Sequence, residues 1–195
     1  MAILVDAAIW PWRGDRWAHL VSDQDVQELH DFATSIGKKR VSFQGDHYDV
    51  NVAQRERALA AGAEAVDSRV IVRSLRAAGL RRRQPDPADQ WEWHVRTRVV
   101  GPRQALDALA PVTDLPGGDV LVSSAAELVA DSSLAAAPTD VVALRSASMT
   151  AVLLTAPTTA WGVNPALERF DVHEAYTSED DGALTVELLR RSHAR

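Results

Sequence analysis

The chain contains no cysteine, so disulfide bonds and metal sites built on thiolates are excluded. Any bound metal would have to use Asp, Glu, His or water as ligands. The first residues contain no basic segment leading into a long apolar run, so no signal peptide is predicted. No run approaches the ~20 apolar residues of a membrane-spanning helix. These absences predict a soluble cytoplasmic protein.

Several well-defined catalytic motifs are also missing. The sequence has no GxxxxGK[ST], no GxGxxG after a predicted strand, no HExxH and no GxSxG. A nucleoside triphosphatase, a dinucleotide-dependent oxidoreductase and a serine hydrolase of the α/β type are therefore disfavoured.

The composition is that of an ordinary globular protein, but its charge is uneven. Apolar residues make up 46 % of the 195 residues and charged residues 25 %, enough for a sizeable core. Residues 1–83 hold 13 basic and 11 acidic side chains, whereas residues 84–195 hold 8 and 16. Six basic groups fall within fifteen residues and could bind phosphates or form a solvated helix face: Arg69, Arg73, Arg76 and Arg81 to Arg83.

Short apolar runs alternate with helical patterns over residues 1–80. Such alternation with short joins predicts a parallel sheet, because parallel strands need crossover helices. We therefore expect a small three-layer α/β domain here. Its strands are predicted at residues 2–5, 17–21, 40–44 and 64–67. Its helices are predicted after the N-cap Ser22, over 52–61 with Asn51 as the N-cap, and from an N-cap at Asp67 or Ser68.

Residues 81–90 (RRRQPDPADQ) are charged, hold two prolines and predict a linker. Residues 91–195 predict an α+β domain with mainly antiparallel pairing. Strands are expected at 91–100, 119–123, 140–145 and 151–155, helices at 102–110 and 125–134, and a hairpin from 169–176 and 183–189.

The segment RVSFQGDHYDV (40–50) places four polar side chains directly after an apolar run. In an open parallel sheet the carboxyl ends of the strands share one edge, where ligands bind. Asp6, Asp46, His47 and Asp67 each follow a predicted strand and are expected at that edge, with His19 folding over it. Close carboxylates repel each other unless a cation neutralises them, so this cluster predicts a Mg²⁺ or Mn²⁺ site.

The sequence suggests roles for the residues around this edge. His47 or His19 could act as general acid or base, and Asp6 takes part in the same chemistry. Phosphate could be clamped by Arg13 and Arg16, and a base could stack on tryptophan. The substrate-binding candidates are Arg13, Arg16, Trp12, Trp17 and Tyr48.

Each of these residues also has a purely structural interpretation. Asp6 could cap a turn, and Asp46 to Asp49 could form an Asx turn that leads into a helix. The cluster of Trp10, Trp12 and Trp17 could be a small hydrophobic cover.

The first part of the chain resembles a known family. The segments AILVDAAIWPWRGDRWAHLVSD, ELHDFATSIG, FQGDHYDV and RALAAGAEAVDSR are similar to the domain of unknown function 4031, found in actinobacteria and their phages. The resemblance covers about residues 1–80 and implies a compact cytoplasmic α/β domain without transferring an activity. It adds His30 to Asp6, Asp46 and Asp67 as a candidate metal ligand. The residues that carry the resemblance to this family are Asp6, Trp17, His19, Glu28, Leu29, His30, His47, Tyr48 and Asp49.

Three hypotheses follow from the sequence. The first is a metal-assisted phosphoester hydrolase acting on a nucleotide or nucleic acid. The second is a non-catalytic nucleotide- or phosphate-binding module whose acidic C-terminal half engages a partner protein. The third is a structural role in which the carboxylates serve as caps. The basic segment over residues 69–83 could bind nucleic acid. An exposed edge strand in the second half could pair with a second copy of the chain and form a homodimer.

Overall fold

The computed structural model describes residues 2–12, 14–82, 90–130, 134, 137–161, 165 and 167–192. The chain divides into two compact units, residues 1–85 and 86–195. Within the described ranges, no helix is both long and apolar enough to cross a membrane. The described residues form an α/β protein with two sheets, one in each unit.

Within its described residues the first unit contains five strands and three α-helices. In chain order they are β1 (Ile3–Val5), β2 (Trp10–Trp12), β3 (Asp15–Ser22), α1 (Val26–Ser35), β4 (Tyr48–Asn51), α2 (Val52–Ala60), β5 (Glu64–Ala65) and α3 (Ser68–Ala77). The strand predicted at 40–44 is wrong: Arg40–Ser42 is a turn of 3-10 helix, and the true strand is β4, which follows the polar motif.

The first sheet is mixed, and the predicted parallel pairing is limited to one pair of strands. Its order is β2-β3-β1-β5, with β4 paired to β3. Among the strands that the structure describes, only β1 and β5 run parallel, whereas β3 is antiparallel to β1, β2 and β4. The connection between β1 and β3 is too short for a crossover helix, and antiparallel pairing is the arrangement that short connections allow.

The helices cover both faces of this sheet and give the expected three layers. Val5 and Leu20 pack in one cluster with residues of α1 and α2, including Leu29 and Ala58. Leu4 and Val21, their neighbours along the strands, point to the other face and pack on Ile71 and Leu75 of α3. This division follows from the two-residue period of a strand.

Side-chain caps set the starts of the helices. Asn51 caps α2 as the sequence predicts, and the structure adds a reciprocal capping box with Gln54. Asp67 caps α3. The predicted cap of α1, Ser22, is instead the last residue of β3, and Asp25 caps the helix by accepting from the Glu28 amide.

The second unit contains β6 (Glu92–Val100), α4 (Pro102–Leu109), α5 (Gly118–Ala130), β7 (Pro138–Arg145), β8 (Met149–Pro157), β9 (Glu174–Asp180) and β10 (Ala183–Arg191). The strand predicted at 119–123 is wrong because those residues belong to α5. Leu121, Ala125 and Leu128 are buried along one side of that helix. The apolar residues here therefore follow the period of a helix and not the two-residue period of a strand.

The second sheet is antiparallel throughout, in the order β6-β7-β8-β10-β9. One of its faces shares a hydrophobic core with α4 and α5, in which Leu109, Val141, Leu154 and Leu188 are almost completely buried. The mainly antiparallel pairing expected for this part of the chain is confirmed.

Candidate functional site

Asp6 and His19 form a tightly held carboxylate–imidazole pair in the first unit. Asp6 follows β1 and is completely buried. Its Oδ1 accepts the backbone amide of His19 at 2.7 Å, and its Oδ2 lies 2.9 Å from His19 Nδ1. Ser68 donates its hydroxyl to the same Oδ2 at 2.7 Å. Both carboxylate oxygens of Asp6 are thus occupied by protein donors.

The surroundings of Asp6 keep this carboxyl group ionised. Burial is the largest single influence and would raise its pKa. The hydrogen bonds from the His19 side chain, the His19 amide and Ser68 together outweigh burial, so the pKa of Asp6 is lowered below its usual value. The Arg55 side chain also donates to the Asp6 carbonyl oxygen, at 2.6 Å.

A second carboxylate–imidazole pair lies in the turn before β4. Asp46 Oδ1 is 2.6 Å from His47 Nδ1. Its Oδ2 accepts Arg81 Nη1 and the Arg82 amide, each at 2.8 Å. The turn depends on Gly45, whose φ of 92° is a left-handed conformation that side chains disfavour. The Gly45 turn and the two arginine donors therefore fix Asp46 in place while its Oδ1 holds the His47 imidazole.

Opposing influences set the protonation of this second pair. Burial would lower the pKa of His47, but its hydrogen bonds to Asp46 and Asp49 raise that pKa to about 9. Burial would likewise raise the pKa of Asp46, and its bonds to His47, Arg82 and Arg81 lower it instead. With no metal bound, His47 is therefore protonated near neutral pH and pairs with ionised carboxylates.

The sheet brings the two imidazoles together beside a third carboxylate. His19 of β3 lies directly opposite Asp49 of β4 in the antiparallel register. The rings of His19 and His47 are edge to face, with centroids 5.2 Å apart. One potential ligand atom from each of His19, His47 and Asp49 lies within 4.8 Å of the other two. All three side chains are partly exposed.

Asp49 is itself positioned by neighbouring groups. Gln44 donates its side-chain amide to Asp49 Oδ2 at 2.5 Å, and Asp49 Oδ1 is 3.5 Å from His47 Nε2. Burial would raise the pKa of Asp49, but its interaction with His47 and the bond from Gln44 lower it. The carboxylate is therefore charged and faces the imidazole nitrogen that Asp46 does not use.

The three ligand atoms are close enough together that His19, His47 and Asp49 could hold a metal ion. A carboxylate that accepts from Nδ1 fixes the imidazole tautomer and leaves Nε2 as the ligand atom. Asp6 does this for His19, and Asp46 for His47. Two ligand atoms at about 2.0–2.1 Å from a tetrahedral zinc ion lie about 3.3–3.4 Å apart. The 3.5 Å between His47 Nε2 and Asp49 Oδ1 is close to that spacing.

The geometry corrects part of the ligand set suggested by the sequence. Asp6 and Asp46 are at the site, but their oxygens already bind protein donors, so their role is to orient the histidines. Asp67 is exposed, and its carboxylate caps α3 by accepting the Arg69 amide at 2.8 Å. Asp67 is thus a helix cap, and it is not among the three residues whose ligand atoms converge, His19, His47 and Asp49.

His30 and Tyr48 also require correction, because they lie in the core on the opposite face of the sheet. Tyr48 is fully buried, and its hydroxyl is 2.9 Å from His30 Nδ1. Burial is the main reason that the pKa of His30 is lowered to about 3, so this imidazole is neutral. Neither a metal-binding role for His30 nor a substrate contact for Tyr48 agrees with this burial.

The remaining substrate-binding candidates lie on the β2–β3 hairpin, except that Arg13 is outside the described residues. Trp12 is 55 % exposed and contacts Trp17 edge to face, with centroids 5.5 Å apart. Trp17 donates its indole N–H to the Trp12 carbonyl at 3.0 Å. Arg16 is exposed and lies opposite Pro11 in the hairpin.

Sequence reasoning treated Asp49 mainly as a helix cap and did not identify Ser68, Arg81 and Arg82 as supporting residues. A signal for Asp49 was present: His47 and Asp49 are two residues apart, a spacing that puts both on one face of a strand. It was missed because the strand was assigned to residues 40–44. No local pattern marks Ser68 or Arg81, since their contacts with the site span 62 and 35 residues along the chain.

Comparison with known proteins finds a match for the first unit and none for the second. Residues 3–78 match the model of a family described as a protein of unknown function (DUF4031), as the sequence resemblance predicted. The C-terminal half matches no family model. No curated protein and no solved structure matches the chain. The matched region contains both histidines and Asp49 but ends before Arg81 and Arg82.

Proposed function

We propose that the first unit of this chain, a DUF4031 domain, binds a divalent metal ion through His19, His47 and Asp49 and hydrolyses a phosphoester. One observation carries the proposal. Two imidazoles whose Nδ1 atoms are each held by a buried carboxylate lie 5.2 Å apart beside a third carboxylate. Paired imidazole and carboxylate groups of this kind accompany catalytic metal ions in proteins.

The donor set indicates which ions to test. Imidazole nitrogen suits zinc and other late first-row metals, whereas Mg²⁺ prefers oxygen ligands. Of the two ions that the sequence suggested, Mn²⁺ therefore suits these two histidines and one aspartate better than Mg²⁺ does. Zn²⁺, which the sequence did not suggest, suits them best. Two histidines and one aspartate leave room for water and substrate, as in catalytic rather than structural zinc sites.

The chain's own residues have distinct roles in this proposal. A bound divalent cation would supply Lewis-acid polarisation of a phosphoryl oxygen and activation of water. Asp6 and Asp46 hold the two imidazoles in the orientation needed for binding. In hydrolysis the water oxygen forms a bond to phosphorus, the ester P–O bond breaks, and a proton goes to the leaving oxygen.

The test combines metal binding with turnover. Metal-free full-length protein is titrated calorimetrically with Zn²⁺, Mn²⁺ and Mg²⁺, and the hydrolysis of bis(4-nitrophenyl) phosphate is followed with each ion and in EDTA. We expect Zn²⁺ or Mn²⁺ to bind and to support turnover. Asp49→Asn and His19→Gln should lose both properties.

Matched controls come from the second unit, where Asp107 and His94 are exposed. Asp107→Asn and His94→Gln should bind metal as the unmodified chain does. If none of the three ions binds, or if Asp49→Asn binds them equally well, the metal assignment is refuted. Turnover that persists in EDTA would point instead to metal-free acid–base catalysis by His19 and His47.

The binding-module hypothesis is the second candidate, favoured by a specific feature of the second unit. A cleft of about 280 Å³ there is lined by Asp119, Glu127 and Asp171 together with Ser123 and Phe170. An acidic cleft suits a basic segment of a partner protein. Metal binding without turnover would favour this alternative.

A further inference from the structure

The sheet face that carries His19 and Asp49 continues into a row of tryptophans, of which Trp10 and Trp12 are exposed and Trp17 is partly buried. Trp10 lies directly opposite Trp17 in the β2–β3 hairpin, and His19 follows Trp17 by two residues. Residues directly opposite each other, or two apart on one strand, project to the same face of a sheet. Trp10 and Trp17 therefore stand on the face of the candidate metal site.

This end of the face is open to solvent. Val21, two residues beyond His19, packs on Ile71 and Leu75 of α3. The helix thus covers the Val21 end only, since Trp10 is 49 % and Trp12 55 % exposed. The Trp10 and His19 rings are edge to face with centroids 5.9 Å apart, so the exposed indole adjoins a proposed metal ligand.

A basic stripe starts at the other side of the same site. Arg69, Arg73 and Arg76 are exposed and recur at intervals of four and three residues, which places them on one side of α3. The helix starts at the site, because Ser68 donates its hydroxyl to Asp6. The stripe lies on the side of α3 away from Ile71 and Leu75, which pack on this face of the sheet, and its first arginine follows Ser68 at the site.

We infer that the substrate is a single-stranded nucleic acid, an inference that rests on the proposed function. A base stacks on Trp10 and Trp12, the adjoining phosphodiester lies over His19, His47 and Asp49, and the next phosphates contact the arginines of α3. Aromatic side chains beside a positively charged track are the usual means of binding single strands. A duplex fits less well, because its stacked bases do not present their faces to the tryptophans.

The inference is tested by fluorescence anisotropy in EDTA with a labelled twelve-residue oligodeoxythymidylate, its duplex with oligodeoxyadenylate, and full-length protein. The single strand should bind more tightly than the duplex. Trp10→Leu and Trp12→Leu should each weaken binding about fivefold to a hundredfold, the range for losing one base–aromatic stack. Trp93→Leu removes a tryptophan that is 62 % exposed in the second unit and should change nothing.

The arginines are tested through the salt dependence of binding. Arg73→Gln and Arg76→Gln should each reduce the slope of log K against log salt by about 0.7, the value for one phosphate contact on a single strand. Arg103→Gln replaces an exposed arginine on α4 and should leave the slope unchanged. Circular dichroism and the melting midpoint verify that every variant is folded.

Three results would overturn the inference: no binding of the single strand, equal binding by the Trp10 variant, or binding to vesicles of phosphatidylcholine and phosphatidylglycerol in place of the oligonucleotide. Because anisotropy is measured in EDTA and metal binding by calorimetry, the two ideas can fail separately. A protein that binds metal but no oligonucleotide refutes only the substrate class. Tryptophan-dependent oligonucleotide binding without metal binding refutes only the hydrolase.

Discussion

The two units of this protein bury different kinds of polar group. In the first unit the fully or nearly buried polar side chains include Asp6, His30 and Asp46. Among the described residues of the second unit, apart from Glu187, they are hydroxyls, such as that of Thr150, which donates to the Pro116 carbonyl at 3.0 Å. Hydroxyl groups are easily satisfied by one hydrogen bond, whereas a buried charge needs a complete set of partners.

This difference favours the first unit as the place of the proposed metal site. The first unit contains two buried carboxylates, Asp6 and Asp46, which a purely apolar core would lack. Each of them is hydrogen-bonded to a histidine and orients its ring. Perturbed ionisable groups that converge in this way are typical of functional sites. Among the described residues, the cluster suited to a metal ion is in the first unit.

The largest expected effect concerns the cores, where the units should behave alike. Leu188 in the second unit and Leu20 in the first are each at most 1 % exposed. Leu188→Ala and Leu20→Ala should each destabilise their own unit by about 2–5 kcal/mol, because each leaves a cavity. Amide hydrogen exchange should show faster opening of β10 in the first variant and of β3 in the second. A loss of zinc binding in folded Leu188→Ala would contradict separate roles for the units.

The next effect is the pH dependence of the metal-free first unit. The pKa of His47 is raised to about 9, so its stabilising effect is complete below pH 6.5 and is lost as pH rises through 9. The pKa of His30 is lowered to about 3, so its effect is present above pH 6.5 and is lost as pH falls toward 3. Stability should therefore peak near pH 6.5, with an alkaline decrease on the order of 3 kcal/mol.

Urea denaturation in EDTA from pH 5 to 9.5, read by hydrogen exchange of β3, measures this profile. His47→Gln should flatten the alkaline limb and leave the acid limb in place. An unchanged alkaline slope in that variant would show that another group titrates there.

A smaller effect is expected from the residues that support the proposed metal ligands. Asp46→Asn should weaken zinc binding about tenfold to a hundredfold, the usual cost of losing a carboxylate that orients a ligating histidine. Arg81→Met removes one of the two donors to Asp46 Oδ2 and should have a weaker effect of the same sign. Calorimetric titration of zinc gives both values. Equal affinities for Asp46→Asn and the unmodified chain would refute the orienting role.

The smallest effect should come from the exposed ion pair of the second unit. Arg98 and Asp140 form two short bonds, at 2.6 and 2.7 Å, but Arg98 is largely in solvent. Water and salt screen such pairs, so they contribute little to stability. Arg98→Gln should shift the melting midpoint by no more than the scatter between replicates. A clear loss of stability would show that this exposed ion pair matters as the buried contacts of Asp46 do.

The sequence by itself determined the features that depend on neighbouring residues. The absence of cysteine limits a metal site to imidazole and carboxylate, and the capping residues Asn51 and Asp67 set the starts of two helices as predicted. The alternating pattern of residues 91–100 predicted β6, and the segments of the first eighty residues predicted the family. Even the proximity of Asp6, His19 and His47 was expected, although from the wrong strand directions.

Only the tertiary structure decided which atoms meet. The antiparallel register sets Asp49 opposite His19, and a prediction of parallel strands placed Asp67 there instead. Ser68 and Arg81 reach the buried carboxylates from α3 and the segment after it, across contacts that local periodicity does not encode. Strand direction and register depend on how every element packs at once, so the ligand set could be recognised only after folding brought these side chains together.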